Sequence, residues 1–350
     1  MSISKHYKFL LAIVLFSTAL SFGVQAQDKD AKPADKPAEA AATPAPKEES
    51  SVTDHSIKLG SQTIPYKATA ATILLKNEKD EPIALLYSTA YTRSDVKDPS
   101  ARPIAFVYNG GPGSASVWLH MGSFSPKRVV TVNADATPPA PYKLMDNANC
   151  LLDKTDLVFV DPVGTGFSHA VGKAQDKDFW GVDQDVKSLA QFVNTYISRN
   201  NRWNSPKFLI GESYGTFRSA ALSNYLQSHD GMDFNGIVLI SSVLGNKGVP
   251  GVKAAYAASK AGVSSLGESL RAEYAKGPIK VSVIEPGYIE SEMTAKSAST
   301  MLMVDNETGV RALAHAIERE PGRAVVPRWP WAPLAQLMRV LPPPLTKRFA

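Results

Sequence analysis

A serine framed by glycines carries the first recognisable chemistry in this sequence: Gly211-Glu212-Ser213-Tyr214-Gly215. The motif follows an apolar run at 207–210 and precedes a stretch of helical periodicity, the strand-turn-helix context of a nucleophile elbow. Small residues on both flanks permit the sharp turn, so Ser213 is expected at the edge of a sheet, with the amide of Tyr214 at a helix N-terminus. A second glycine cluster, Asn109-Gly110-Gly111-Pro112-Gly113-Ser114, follows the apolar run 103–108. Glycines let backbone amides approach a ligand, and an amide from this loop would complete an oxyanion hole with Tyr214. A tight turn is the alternative; a dinucleotide loop fits Pro112 and the glycine spacing badly. A third segment, Asp161-Pro162-Val163-Gly164-Thr165-Gly166-Phe167-Ser168, follows the run 157–160.

Chemistry of another kind lies downstream. Tyr256 and Lys260 stand four apart in Tyr256-Ala257-Ala258-Ser259-Lys260-Ala261-Gly262, so on a helix they share one face. A lysine there lowers the tyrosine's pKa, and Ser242 is available to hydrogen-bond a substrate oxygen. Together they form a proton-transfer set for carbonyl reduction or alcohol oxidation. A bare Tyr/Lys pair at this spacing is usually a solvated helix face, so the surrounding motifs must decide.

The elements that would position these groups read as an α/β fold. Residues 57–95 alternate in part, with Ile64, Tyr66, Ala68 and Ala70 on one face, and form an antiparallel hairpin about 77–82. Short apolar runs at 103–108, 157–160, 208–210, 237–240 and 281–284 have the pattern of buried parallel strands. Helical stretches at 182–197, 217–226, 254–274 and 309–317 separate several of them.

The 350 residues suffice for one large domain or two modest ones, and 44% hydrophobic residues build a core. With 38 Lys+Arg against 33 Asp+Glu spread along the chain, nucleic acid is not an expected partner. The single Cys150 excludes an intrachain disulfide and a multi-cysteine metal site, and no metal is expected. Residues 1–26 read as a signal peptide: Lys5 and Lys8 precede an apolar stretch, and Val24-Gln25-Ala26 puts small residues at the cleavage position. The expected location is therefore periplasmic or secreted. Residues 27–52, rich in Ala, Pro, Lys, Asp and Glu, are expected to form a disordered linker.

The two glycine motifs and the Asp-Pro-Val-Gly-Thr-Gly-Phe-Ser segment together resemble the serine carboxypeptidase family of α/β-hydrolases, over residues 53–244. The resemblance implies Ser213 as nucleophile and the amides of Gly111 and Tyr214 as the oxyanion hole. It implies that Asn109, Gly110 and Glu212 hold the C-terminal carboxylate of a peptide substrate, without a cofactor. Two carboxyl groups so close would share a proton, which favours acidic pH.

From 245 to 350 the chain resembles the C-terminal half of a short-chain dehydrogenase/reductase. The match rests on Gly248-Val249-Pro250-Gly251, the Tyr-Ala-Ala-Ser-Lys-Ala-Gly string and Val281-Ser282-Val283-Ile284-Glu285-Pro286-Gly287. That resemblance implies Ser242, Tyr256 and Lys260 as the catalytic set and NAD(P) as cofactor, with Ile289 and Ser291 in the loop touching its nicotinamide.

Each half lacks its complement. Downstream of Ser213 only His229 and His315 remain, both reading as ordinary surface histidines, and upstream of Ser242 no dinucleotide fingerprint follows a first strand. The chain thus reads as a fusion near 237–244. A mostly parallel sheet of α/β-hydrolase type would be continued by a Rossmann-like dehydrogenase half, with Glu285 emerging where a hydrolase acid belongs. An inactive fusion is the remaining alternative. The tail from Arg328 to Arg348 mixes aromatic, proline and basic residues, fitting a packing arm or weak contact with an anionic membrane surface.

Overall fold

The computed structural model describes residues 46–130, 140–246, 253–277, 279–290 and 302–342. The leader and most of the linker lie outside these residues, as does the end of the tail. In chain order the main strands are β1 (Ser50–Leu59), β2 (Gln62–Lys76), β3 (Pro82–Arg93), β4 (Ile104–Tyr108) and β5 (Asp156–Val160). They continue as β6 (Lys207–Glu212), β7 (Gly236–Ile240), β8 (Lys280–Pro286) and β9 (Arg323–Val326). The long helices are α1 (Val182–Arg199), α2 (Tyr214–Asp230), α3 (Lys253–Glu273), α4 (Asn306–Arg319) and α5 (Arg328–Val340).

The strands form one sheet in the order β1-β2-β3-β5-β4-β6-β7-β8-β9, with the short strand His169–Ala170 alongside β3. The first three strands are an antiparallel meander, and β3 meets β5 antiparallel. Every pairing from β5 to β9 is parallel. All residues of β4, β5 and β7 are buried, which is why the sequence shows unbroken apolar runs there.

One face of the sheet packs Phe106, Leu209, Phe192 and Leu222 together under α1 and α2, and Leu239, Val283 and Leu270 under α3. The other face gathers Ile210, Val238 and Ile284 against Leu313 and Ile317 of α4. β7 joins the two sequence grammars. Its residues 236–240 pair with 208–212 of β6 on one side and with 280–284 of β8 on the other. The fold is therefore the expected α/β arrangement, with the dehydrogenase-like elements extending the hydrolase-like sheet.

Three features depart from the sequence reading. β1 begins at Ser50, inside the segment assigned to the linker, because Ser50 to Val52 pair with Ala71 to Thr69 of β2. β9 was not anticipated; only Val326 among its four residues is buried, so it carries no apolar run. The described part of the tail is helix α5, which buries Trp331 against Tyr288 at a 5.1 Å ring separation. None of the described helices is long and apolar enough to cross a membrane.

Candidate functional site

At the C-terminal end of β6 the chain turns so sharply that Ser213 adopts φ 57° and ψ −118°, a conformation costly for a residue with a side chain. The surroundings enforce it. Ser213 N donates to Ile240 O of β7 (3.1 Å), and Thr216 donates to Ser213 O through both N (3.1 Å) and Oγ1 (2.6 Å). Both flanking glycines are sterically required: a Cβ on Gly211 would lie 2.0 Å from Gly215 O, and one on Gly215 would lie 3.0 Å from Tyr108 O. The glycine loop after β4 is seated against this turn, since a Cβ on Gly110 would lie 2.4 Å from Tyr214 N. Gly111 follows at φ 109°, a backbone open to glycine, so the loop's amides and that of Tyr214 are neighbours.

Asn109 is buried; its Nδ2 donates to Glu212 Oε2 at 3.4 Å and its Oδ1 accepts from Leu119 N at 3.2 Å. Asn109 and Glu212, predicted to act together, are thus in contact. The Asp161 carboxylate ties the third motif to the end of the glycine loop, accepting from Ser116 N and Oγ, each at 2.8 Å, and from Phe167 N at 3.3 Å.

Beneath the turn lies a group that sequence reasoning missed. Arg218 of α2 is fully buried; it donates to Asp185 Oδ2 through Nε (2.7 Å) and to Asn109 O through Nη1 (2.7 Å). Its guanidinium also faces the rings of Tyr108 and Tyr214, at 5.7 and 5.2 Å. Asp185 sits on α1, far from Arg218 in sequence, so the only local signal was an arginine in the helix after the serine. A pocket of about 230 Å³ opens here, lined by Pro112, Val163, Phe179, Trp180, Tyr214 and Arg218 among others.

Neither downstream histidine serves the turn. His229 stacks on Tyr225 at 4.1 Å and hydrogen-bonds Ser228, fifteen residues past the start of α2 and so about 22 Å along the helix. His315 is 3.7 Å from Glu318, and Glu318 lines a cavity beside Gly236 and Lys280, the first residues of β7 and β8. That is the opposite edge of the sheet from Ser213. Closer by, His120 is held by the Tyr91 hydroxyl at 2.7 Å and stacked on Phe159, and burial pushes its pKa down to about 4. Among the described residues, no three His, Cys, Asp or Glu side chains converge to hold a metal ion.

Glu285, expected near the nucleophile as its acid, lies elsewhere. It is fully buried, accepting from Ser264 Oγ (2.7 Å) and Arg323 Nη2 (2.7 Å) through Oε1 and from Asn246 Nδ2 (3.0 Å) through Oε2. Strand alternation puts Glu285 on the side of Val281 and Val283, beneath α3, and there it is a structural ion-pair partner.

The Ser-Tyr-Lys set is assembled. Ser242, just after β7, lies close enough to the Tyr256 hydroxyl to act on its titration, and the Lys260 ammonium lies 5.2 Å from the centre of the Tyr256 ring. Its electrostatics differ from the expectation that lysine lowers the tyrosine's pKa. Burial raises the Tyr256 pKa; Ser242 works against this, while Glu212 and Tyr288 add to it. Lys260 is shifted downward by burial, opposed by the charge of Glu212. Glu212 thus contacts Asn109 and acts electrostatically on Tyr256 and Lys260. Ile289 pairs with Val304 just beyond β8, and Ser291 lies outside the described residues.

Residues 217–302 match the family described as short chain dehydrogenase. An uncharacterized oxidoreductase of Mycobacterium tuberculosis (strain CDC 1551 / Oshkosh) is 65% identical over 164 residues, covering 45% of this chain and 64% of that protein. An uncharacterized oxidoreductase of Myxococcus xanthus (strain DK1622) is 30% identical over 174 residues, 49% of this chain and 67% of its own length. The C-terminal region belongs to the short-chain dehydrogenases. This chain spans less than two thirds of the length of the Mycobacterium tuberculosis relative. The N-terminal part is similar to serine carboxypeptidase-like 45 of Arabidopsis thaliana, 24% identical over 207 residues, 56% of this chain and 41% of that protein. The two similarities divide the chain as a fusion would.

Membership in the short-chain dehydrogenases supports NAD(P) as cofactor for the Ser-Tyr-Lys set. Ser242, Tyr256 and Lys260 suit its nicotinamide end. The pyrophosphate end does not fit: the glycine loop after β4 is closed onto the N-terminus of α2, and the space a Cβ on Gly110 would need is already filled by Tyr214 N and Glu212 O. A helix start covered by protein backbone offers no cradle for phosphate.

Proposed function

We propose that this chain is an exported serine-type hydrolase acting at the C-terminal ends of peptides, with slow turnover. The observation that carries the reading is the strained Ser213 turn, locked between Gly211 and Gly215 with the Gly110–Gly111 backbone seated against it. In this reading Ser213 is the nucleophile and the amides of Gly111 and Tyr214 receive the oxyanion. Asn109 and Glu212 hold the substrate's terminal carboxylate, and the pocket beside Tyr214 takes an adjoining side chain. No cofactor is needed. Turnover is slow because no histidine among the described residues reaches Ser213. The leader-like residues 1–26 support export. Hydrolysis of an N-blocked dipeptide, followed from pH 5 to 8, tests the activity. Slow release that vanishes in Ser213→Ala is expected; equal rates in both proteins refute it.

The grouping of Ser242, Tyr256 and Lys260, with the Lys260 ammonium 5.2 Å from the Tyr256 ring, favours a second reading, a short-chain dehydrogenase using NAD(P). Titration of the full chain with NADP decides it. Saturable quenching of tryptophan fluorescence supports this reading, and no binding at millimolar NADP removes it.

A further inference from the structure

The hydrolase reading leaves Ser213 without a base, because each described histidine near it in sequence or space is engaged elsewhere. A basic residue is tied to this rim through its backbone, and it comes from the dehydrogenase-like half. Ser213 N is bonded to Ile240 O, the last residue of β7 (3.1 Å). On the next residue, Ser241 Oγ donates to the backbone carbonyl Lys260 O (3.2 Å). Lys260 is therefore tied to the strand end that borders the serine turn. Its side chain is 2% exposed, and among the described residues its Nζ makes no hydrogen bond or ion pair.

We propose that Lys260 is the proton acceptor for Ser213, so that the fused chain supplies from its dehydrogenase half the base missing from its hydrolase half. The inference rests on Ser213 being a nucleophile. A buried amine without an acceptor favours its neutral form, which has a lone pair to take a proton. The groups that act on Lys260 and its neighbour are Glu212 at the end of β6, Tyr256 on the same helix, Ser242 after β7 and Tyr288 after β8. Glu212 favours the ammonium, but burial is the larger influence and on balance moves the Lys260 pKa downward. Tyr256 keeps its proton, because burial and Glu212 both raise its pKa.

The step balances within the site. As the Ser213 Oγ–carbon bond forms at the substrate carbonyl, the hydroxyl proton passes to Lys260 Nζ, directly or through one water. The ammonium then returns that proton to the departing amine as the carbon–nitrogen bond breaks. With a fluorophosphonate the Oγ–phosphorus bond forms, fluoride leaves, and Lys260 releases the proton to solvent. A lysine base also moves the working pH upward from the acidic range implied by carboxypeptidase resemblance.

The test is the rate of labelling of the full chain by a fluorophosphonate, read as intact mass from pH 5 to 10. Wild type should label at a rate that rises with pH through one inflection, and Ser213→Ala should not label. Lys260→Arg, which stays protonated, and Lys260→Met should label slower by roughly 10²-fold with no inflection. Ethylamine should restore part of the rate in Lys260→Ala. Circular dichroism checks that each variant is folded; if Lys260→Met is not, Lys260→Arg decides. Labelling of folded Lys260→Arg at the wild-type rate overturns the proposal while leaving Ser213 a nucleophile. A wild-type chain that takes no label overturns the nucleophile itself.

Discussion

The two candidate sets of this molecule stand in different states of completeness. The serine turn is built from the end of β6, the start of α2 and the loop after β4, and its steric locks at Gly110, Gly211 and Gly215 are intact. The Ser-Tyr-Lys residues are also grouped, yet the backbone packed around Gly110 leaves no phosphate cradle at the start of α2. A site made by one sharp turn is complete in its local backbone. A site whose cofactor reaches several strand ends needs every one of them in place. Glu212, hydrogen-bonded to Asn109 and acting electrostatically on Lys260, links the two sets.

The largest expected effect breaks the serine side alone. Gly211→Val places a side chain where even a Cβ would lie 2.0 Å from Gly215 O, so fluorophosphonate labelling should vanish. Persistent labelling would mean that the turn is not what presents the serine. Arg218→Met strips the charge from a buried pair and leaves Asp185 uncompensated, at a cost of roughly 3–5 kcal/mol in urea unfolding. A loss below about 1 kcal/mol would show that water reaches Asp185.

On the dehydrogenase side, Glu285→Gln should cost about 2 kcal/mol, because Arg323 loses its buried carboxylate while the Ser264 and Asn246 contacts survive in part. Labelling of Ser213 by the folded variant should be unchanged; a slowed rate would restore Glu285 as the hydrolase acid.

The smallest effect is a pH dependence under the serine half. His120 has a folded pKa of about 4 against an ordinary histidine value of 6.5, so the unfolded chain takes the proton first. Its contribution is present above about pH 6.5 and is lost as pH falls toward 4, with roughly 1 kcal/mol gone by pH 6. His120→Phe should flatten that part of the stability profile, and an unchanged slope would assign it to other groups.

Much of this was readable along the chain because it is local. Strands β4 to β8 announce themselves as apolar runs since both faces of the sheet are covered, and the serine turn declares itself through glycines a few residues apart. Features that depend on register were not readable. Arg218 looks like a surface helix residue until α1 brings Asp185 to it. Position at a strand end suggested Glu285 as an acid, but it does not say which face the side chain takes. β9 and α5 escaped for simpler reasons: β9 has a single buried residue, and Pro330 and Pro333 disguise α5 as a tail. The influence of Glu212 on Lys260 likewise depends on register, since β6 and β7 pair at Glu212 and Ile240.

The most direct measurement of the central claim is the intact mass of the full chain after fluorophosphonate treatment, beside Ser213→Ala. One added label on the wild type, absent from the variant, is the predicted result and shows the turn and its oxyanion amides working as a unit. No label on a folded wild-type chain would contradict the account and leave both similarities as ancestry alone.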